Sequence, residues 1–167
     1  KKLEVINQST NKKTINFNNK KKIILYVGRL NKSKGYDIFG KAVIDILNDY
    51  PEWKAIVIGD EPREKYIFKH KNLKVLGFQK HKVVTKWFIK SEISVVCSRW
   101  NEPFGRTALE ASSAGCAVIM TNRGGLLEAS PRALKIRNLN VKNIKNEIKK
   151  LIQNETFRRS LQRKIYK

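Results

Sequence analysis

The sequence predicts an α/β fold, an open and doubly wound parallel sheet with helices on both faces. Short apolar runs rich in Val and Ile alternate along the chain with longer segments whose apolar residues recur at helical spacing. Most of these runs are followed at once by Gly, Ser or Asn, which is typical of strands that end in loops. The 167 residues, 41% of them hydrophobic, suffice for one domain with its own core.

Five apolar runs are predicted as strands, because each has strand length and is nearly continuous in branched apolar residues, as buried parallel strands are. These runs are 23–27, 54–58, 73–76, 93–97 and 117–120. Between them, apolar residues at helical spacing predict crossover helices. The predicted helices are 36–49, 80–90 and 104–115, and the apolar positions that follow Val141 predict two terminal helices.

The elements divide the chain into three parts. Residues 23–140 form the predicted α/β domain, and residues 141–167 form its C-terminal helices. Residues 1–22 lack a clear periodicity and are expected to be a linker or the end of a missing N-terminal domain. The first residue is Lys1 rather than Met, which suggests a fragment. No apolar run approaches the length of a membrane span and no signal core is found, so we expect a cytoplasmic location.

Positive charge is the most unusual feature of the composition. The chain has 36 Lys and Arg against 14 Asp and Glu, a formal net charge of +22 at pH 7. Such an excess raises the hypothesis of a basic nucleic-acid-binding domain. The segments 23–60 and 102–131, however, carry net charges of 0 and −1, and the excess lies in 1–22, 61–101 and 132–167. We therefore interpret most lysines as solvated surface charge and expect no nucleic acid as partner.

Two of the basic stretches also carry apolar residues. Lys82, Lys86 and Lys90 recur at every fourth position opposite an apolar side, as in an ordinary amphipathic crossover helix. The same lysines could meet an anionic leaflet, so a peripheral contact at the inner face of the cell membrane stays open. The stretch KYIFKHK at 65–71 could stack on single-stranded bases, but its apolar residues are also needed to cover a sheet edge.

The loop after the first predicted strand is one candidate site, because ligands bind beyond the carboxyl ends of parallel strands. It reads GRLNKSKG, which is neither the dinucleotide fingerprint nor a phosphate-binding P-loop sequence. Arg29 stands at the strand end and Lys34 just before a helix, and two cations beside a helix N-terminus can hold a diphosphate. A basic surface loop without a ligand is the alternative.

The loop after the fourth predicted strand is a second candidate site and reads SRWNEPFGRTALE. Glu102 precedes a helix start, and Glu110 follows eight residues later inside the helix, so both can face the cleft. Gly105 lets a ligand approach the backbone, and the free amides of Gly105, Arg106 and Thr107 can bind an anion. Glu102 could instead serve only to stabilise the helix dipole.

Other catalytic and metal-binding patterns are weak. Cys97 and Cys116 lack the spacing of a zinc site and are expected to be buried thiols. His70 and His81 stand alone in Lys-rich stretches and are expected to be surface residues rather than bases. The sequence also contains no G-x-S-x-G segment for a serine nucleophile.

Taken together, the loops resemble the C-terminal, donor-binding half of retaining glycosyltransferases with two Rossmann domains (the GT-B type), specifically family 4 within glycosyl transferases group 1. The segments that carry the resemblance are VGRLNKSKG at 27–35, IVIGD at 56–60, LKVLGF at 73–78, EPFGRTALEASSAGCAVI at 102–119 and NRGGLLE at 122–128. The E-x7-E spacing of the family is matched from Glu102 to Glu110. One departure is Leu127, where the family usually has proline.

The resemblance implies a Rossmann-like fold and a hexosyltransferase activity without a metal or other cofactor. Sugar would pass, with retained configuration, from a nucleotide diphosphate sugar to a saccharide or lipid-linked acceptor, in the synthesis of cell-surface polysaccharide or lipopolysaccharide. Because no acceptor half is recognisable in residues 1–22, the chain alone is expected to be inactive or weak. A sugar-nucleotide-binding module without catalysis is a further alternative.

The resemblance also implies a role for individual residues. Arg29 and Lys34 would bind the donor diphosphate and stabilise the leaving nucleotide, and Glu102 would contact the transferred sugar; these three are the expected catalytic residues. Glu110 would accept hydrogen bonds from the ribose hydroxyls. The remaining donor contacts would come from backbone amides at Phe104, Gly105, Arg106 and Thr107.

Overall fold

The computed structural model describes Thr10 and residues 14–166. A single 3₁₀ turn at Phe17–Asn19 leads into six strands and six helices within that part of the chain. The strands are β1 (Lys21–Val27), β2 (Lys54–Ile58), β3 (Leu73–Val75), β4 (Ser91–Val96), β5 (Ala117–Thr121) and β6 (Leu134–Ile136). The helices are α1 (Tyr36–Asp49), α2 (His81–Lys90), α3 (Arg106–Ser113), α4 (Leu126–Ala129), α5 (Val141–Gln153) and α6 (Glu155–Tyr166).

The strands form one parallel sheet in the order β3-β2-β1-β4-β5-β6. After β3 the chain crosses back over the sheet by α2 and places β4 beside β1, so the strand order reverses between β1 and β4. This reversal is the doubly wound topology predicted from the sequence, and it opens a crevice at the carboxyl ends of β1 and β4.

Two hydrophobic clusters cover the two faces of the sheet, because side chains alternate along each strand. On β1, Ile24 and Tyr26 point to the face that packs against α1, α5 and α6, whereas Ile23 and Leu25 point to the face covered by α2, α3 and α4. Strands β4 and β5 and the centre of β1 are buried on both sides, which explains their nearly continuous apolar sequences, whereas β3, predicted as a buried strand, lies at the sheet edge and is largely exposed.

The ends of the sheet differ from the sequence-based expectation in two places. Strand β1 begins at Lys21, inside the segment 1–22 that we expected to be a linker, and residues 1–9 and 11–13 of that segment lie outside the described residues. Strand β6 and helix α4 were not predicted. Strand β6 has only two apolar residues and no Gly, Ser or Asn directly after it, and the four residues of α4 are too few for helical periodicity to reveal them.

A buried lysine joins the start of β1 to the helices on one face. Lys20 is 5% exposed, and its ammonium lies 2.9–3.3 Å from the carbonyls of Phe88, Ile89, Ser91 and Ala114, at the C-terminal ends of α2 and α3. Burial lowers the pKa of Lys20, while nearby Cys116 and Glu92 oppose that change. The contact satisfies carbonyl groups that helix geometry leaves without partners.

Candidate active site

A cleft of about 310 Å³ opens at the carboxyl ends of β1 and β4, where the strand order reverses. Its floor is formed by the last residues of these two strands, among them Tyr26 and Val96, and its walls by the following loops and the first turn of α3. The volume lies at the lower end of the range for small-molecule sites, about 300–1,000 Å³. The position is where doubly wound sheets bind ligands.

Six of the eight predicted site residues line this cleft: Lys34, Glu102, Phe104, Gly105, Arg106 and Thr107. Arg29 and Glu110 are not among the lining residues. Arg29 lies just beyond β1 and is exposed, and its guanidinium has no hydrogen bond or ion pair within the part of the chain described. Its side chain is therefore free to reach toward a ligand, whereas the Lys34 side chain is already in an ion pair.

Lys34 and Glu102 form an ion pair inside the cleft. The Lys34 Nζ lies 2.5 Å from Glu102 Oε1, and the two side chains are 30% and 15% exposed. The family resemblance assigned these residues to separate parts of a ligand, so this contact was not anticipated. A phosphate that binds Lys34 must compete with Glu102, and a ligand hydroxyl that binds Glu102 must compete with Lys34.

The first turn of α3 provides donors at the cleft. Its N-terminal amides have no partner within the helix, and the helix dipole favours negative charge at this end. Gly105 precedes the helix with φ of 85°, a left-handed conformation that glycine adopts without strain. A Cβ atom at Gly105 would also lie 2.7 Å from Leu126 Cδ2 of α4, so a larger residue would require the Leu126 side chain to shift.

The loop after β5 supports the loop that carries Glu102. The amide of Gly125 donates to the carbonyl of Glu102 at 2.7 Å, and Gly124 forms an isolated parallel bridge with Glu102. Gly124 has φ of 52°, and a Cβ atom there would lie 2.5 Å from the Glu102 carbonyl oxygen. The two glycines of NRGGLLE therefore let two backbones approach and place Glu102 at the cleft.

The loop after β1 is held by side chains that the sequence did not indicate. The Tyr26 hydroxyl lies 2.9 Å from the carbonyl oxygen of Arg29 and 3.2 Å from that of Lys34. Burial raises the pKa of Tyr26 well above its usual value, so the hydroxyl stays a donor. Asn31 accepts from the Lys34 amide at 3.0 Å and donates to Glu61 at 3.1 Å. These contacts fix the backbone that presents Arg29 and Lys34.

A second ion pair connects the loops after β1 and β4. Arg99 donates to both carboxylate oxygens of Asp37, at 2.6 and 2.8 Å, and also to the carbonyl of Lys32. Burial alone would raise the pKa of Asp37, but the hydrogen bonds and positive charge of Arg99 lower it overall. Because Asp37 is in the first turn of α1 and Arg99 is next to the loop of Glu102, the pair orients one side of the cleft relative to the other.

Glu110 lies one turn inside α3, on the side that faces α2. Its Oε1 is 3.3 Å from His81 Nε2 and 3.7 Å from a guanidinium nitrogen of Arg106, and its side chain is 19% exposed. His81 is 66% exposed, as expected of a surface residue, but it is not isolated. The spacing of the sequence could not reveal this contact, because the two residues are 29 positions apart.

The two cysteines do not lie in a reactive or metal-binding cluster within the described residues. Cys97 and Cys116 are buried and free, and burial raises the pKa of Cys97 to about 12 and that of Cys116 above its usual value. Among the described residues, no three His, Cys, Asp or Glu side chains are grouped so that they could hold a metal ion. The expectation that no metal is needed stays a prediction.

The basic helix α2 and the basic stretch 65–71 do not line the cleft. On α2, Val84 and Phe88 are buried while Lys82, Lys86 and Lys90 are exposed, as an amphipathic crossover helix requires. In the stretch 65–71, Phe68 packs on Tyr36 with ring centroids 5.4 Å apart, whereas Ile67 is 75% exposed. None of the helices described has the length and apolar character needed to cross a membrane.

The fold and the cleft define a doubly wound α/β domain in which a helix N-terminus and a lysine meet at the strand crossover, an arrangement suited to a phosphorylated ligand. Comparison with known proteins gives the family. The chain belongs to the family described as glycosyl transferases group 1, whose model matches residues 7–167.

Known relatives match this chain over part of their own length. Spore coat protein SA of Bacillus subtilis (strain 168) is 36% identical over 121 residues, which are 63% of this chain and 31% of that protein. The lipopolysaccharide core biosynthesis mannosyltransferase LpsB of Rhizobium meliloti (strain 1021) is 30% identical over 127 residues, 70% of this chain and 36% of that protein. The chain thus spans about a third of the length of these relatives.

Solved structures share the fold. The C-terminal domain of a glycosyl transferase group 1 family protein (LpcC) from Francisella tularensis matches with a TM-score of 0.78 at 27% identity, over 88% of this chain and 84% of that chain. Anabaena Alr3699/HepE in complex with UDP-glucose matches with a TM-score of 0.74 at 19% identity, over 87% of this chain and 43% of that chain. The Rossmann-like fold of a GT-B C-terminal half is therefore confirmed.

Proposed function

We propose that this chain is the donor-binding domain of a retaining glycosyltransferase of family 4, which transfers a hexose from a nucleotide diphosphate sugar to a saccharide or lipid-linked acceptor. The observation that carries the proposal is the cleft at the strand crossover, where Lys34, Glu102 and the first turn of α3 come together. The lipopolysaccharide mannosyltransferase among the relatives supports a role in cell-surface polysaccharide or lipopolysaccharide synthesis.

In this proposal the diphosphate lies at the N-terminus of α3. The amides of Gly105, Arg106 and Thr107 donate to phosphate oxygens, Lys34 contacts them from the opposite wall, and Arg29 folds in from the exposed loop. Hydrogen bonds to a charged group contribute about 1.5–3 kcal/mol each. Because negative charge builds on the leaving diphosphate as the bond to the sugar breaks, donors fixed in advance lower the barrier.

Glu102 then binds the transferred sugar. When phosphate draws Lys34 away, the carboxylate of Glu102 becomes available to accept hydrogen bonds from sugar hydroxyls. Glu110 lies farther along α3 and is assigned to the ribose, which leaves one carboxylate near the sugar. A hydrolase that follows the usual two-carboxylate mechanism needs a second one across the scissile bond, so transfer is favoured over hydrolysis.

The acceptor is proposed to bind outside this chain. The chain corresponds to about a third of its relatives' length, and the cleft is partly open to solvent. We expect the isolated chain to bind donor but transfer poorly, with the acceptor held by an additional N-terminal domain. The exposed lysines of α2 are proposed to contact an anionic membrane at the cytoplasmic side when the acceptor is a lipid.

The experiment is a thermal-shift screen of the intact chain against UDP, GDP and ADP sugars, with UDP-glucose first because a structural neighbour binds it. Calorimetry on Lys34→Ala and Arg29→Ala follows with the best ligand. Each variant should lose about tenfold or more in affinity, as the loss of one charged hydrogen bond predicts. Lys86→Ala removes an exposed lysine of α2 and is the matched control. Equal losses in all three variants would point to diffuse electrostatics and overturn the proposal.

A module that binds sugar nucleotides without catalysis would give the same binding results. It is distinguished by supplying the acceptor-binding part of a full-length relative in trans and assaying sugar transfer. Transfer that disappears in Lys34→Ala supports the enzyme, and donor binding without any transfer supports the module.

A further inference from the structure

The contact between Glu110 and His81 joins the start of α2 to α3 beside the cleft. Glu110 Oε1 lies 3.3 Å from His81 Nε2, a distance at which a ring N–H donates to a carboxylate. The Arg106 guanidinium lies farther away, at 3.7 Å, and its side chain is 71% exposed. Of the groups that approach Glu110 within the described residues, His81 thus makes the closer contact.

His81 is placed where it can act on Glu110 without blocking the cleft. It is the first residue of α2, and α2 follows the loop that leaves β3 at the carboxyl edge of the sheet. The His81 side chain is 66% exposed, so its contact with Glu110 contributes little to the core and packing does not require a histidine here. Its effect is therefore expected on the orientation of the Glu110 carboxylate.

We propose that His81 is a positioning residue for Glu110 in nucleotide recognition. The inference rests on the proposed function, in which Glu110 accepts hydrogen bonds from the ribose hydroxyls. A carboxylate offers about four acceptor positions on its two oxygens. A proton on Nε2 of His81 occupies one position on Oε1 and fixes the rotation of the side chain, so that Oε2 faces the ribose. Without His81, Glu110 is free to swing toward Arg106 and must be ordered by the ligand.

The test measures discrimination between ribose and deoxyribose. Calorimetry compares the intact chain and its variants for the nucleoside diphosphate that binds best among UDP, GDP and ADP, and for its 2′-deoxy counterpart. The intact chain should prefer the ribonucleotide by about tenfold or more, the value expected for a hydrogen bond to a charged group. Glu110→Ala should abolish that preference. His81→Leu should reduce it several-fold, and His81→Gln should retain it because the Gln amide offers a donor near the position of Nε2.

Two control variants distinguish a positioning role of His81 from a general loss of nucleotide binding. His70→Leu changes the other histidine, which contacts Asn48 at 3.2 Å and does not contact Glu110, so it should keep the full preference. The double variant with His81→Leu and Glu110→Ala should behave as Glu110→Ala alone, because His81 acts through that carboxylate.

The outcomes are distinguishable. If the intact chain binds no nucleotide, the proposed function fails and this inference with it. If nucleotide binding is intact and weakened by Lys34→Ala, but Glu110→Ala keeps the preference for ribose, the proposed function stands and the inference is overturned. If Glu110→Ala abolishes the preference while His81→Leu leaves it unchanged, His81 has no positioning role. Loss in His81→Leu with rescue by His81→Gln supports the inference.

Discussion

At the scale of single residues, the ion pair of Lys34 with Glu102 is the feature that decides how the cleft responds to a ligand. Each partner is the other's only charged contact among those described, and both are partly exposed in the cleft. A pair of this kind is exchangeable, because a phosphate or a hydroxyl can replace either member at little net cost. Lys34 and Glu102 are therefore paired with each other, and a ligand must replace this contact to bind either of them.

We expect that Glu102→Gln strengthens the binding of a nucleoside diphosphate that lacks sugar. The substitution keeps the shape of the side chain but removes the charge that competes for Lys34, so the affinity should rise about threefold to tenfold, a change of roughly 1 kcal/mol. Glu128→Gln removes an exposed carboxylate of α4 and controls for the change in net charge. A weaker affinity of Glu102→Gln in calorimetry would show that Glu102 does not restrain Lys34.

Two glycines with left-handed backbone differ in how closely other atoms approach them, and this difference gives a testable prediction. Gly124 and Gly77 both have positive φ, 52° and 66°, but a Cβ atom at Gly77 meets nothing within 4 Å whereas one at Gly124 would lie 2.5 Å from the Glu102 carbonyl. Gly77→Ala should therefore cost only the conformational strain, about 1 kcal/mol. Gly124→Ala should cost at least about twice as much in denaturant unfolding, because the Glu102 loop must also move. Equal losses would contradict the packing argument.

At the scale of elements, the sequence predicted what periodicity can express and missed what depends on distant contacts. The strands from β1 to β5 follow from short apolar runs, the helices α1, α2 and α3 from apolar residues at helical spacing, and α5 and α6 from the spacing after Val141. Strand β6 was missed because it contains only two apolar residues and is followed by Arg137, whereas the run predicted as β3 contains three and is followed by Gly77. The paths of the loops were also out of reach, since they depend on side chains that meet only after folding.

The same distinction between local sequence patterns and distant contacts holds for the residues of the site. Lys34, Glu102 and the start of α3 could be found from the sequence because they stand next to predicted strand ends and a helix start. The contact of Tyr26 with the loop after β1 could not, since the residue reads as an ordinary part of an apolar strand. The Arg99 contact with Asp37 spans 62 positions, and no local pattern marks it.

The connection between α1 and the loop after β4 gives a pH-dependent prediction. Asp37 has a folded-state pKa below its ordinary value of 3.8 because of Arg99. The ion pair therefore stabilises the fold above about pH 4, and this stabilisation is lost as the pH falls through the folded-state pKa. In a double-mutant cycle of Asp37→Asn and Arg99→Gln, denaturant unfolding should give a coupling of about 1 kcal/mol at neutral pH.

The same cycle at about pH 3 or below should give a smaller coupling, because protonated Asp37 no longer attracts Arg99. A coupling that stays constant across this range would mean that the pair contributes through packing rather than charge. A coupling that grows at low pH would contradict the direction of the Asp37 pKa.

At the scale of the whole molecule, the charge of +22 and the cleft are separate features. The segments 23–60 and 102–131, which contain Lys34 and Glu102, carry net charges of 0 and −1. The exposed lysines of α2 and the cations of 132–167 account for much of the excess, and α5 and α6 are outside the cleft. Binding in the cleft should therefore depend on a few fixed groups and only weakly on the net field.

The salt dependence of binding affinity distinguishes the cleft from the basic surface experimentally. A protein that contacts six to ten phosphates of DNA loses about 10³–10⁵ in affinity between roughly 50 and 200 mM salt. The cleft offers two cations and a helix N-terminus, so the affinity for the best nucleoside diphosphate should fall by less than about tenfold over the same range. Calorimetry with that nucleotide and fluorescence anisotropy with single-stranded DNA make the comparison on one preparation. A steep loss of nucleotide affinity, parallel to that of DNA, would favour the nucleic-acid-binding alternative, because it would show that the whole basic surface, rather than the cleft, attracts the ligand.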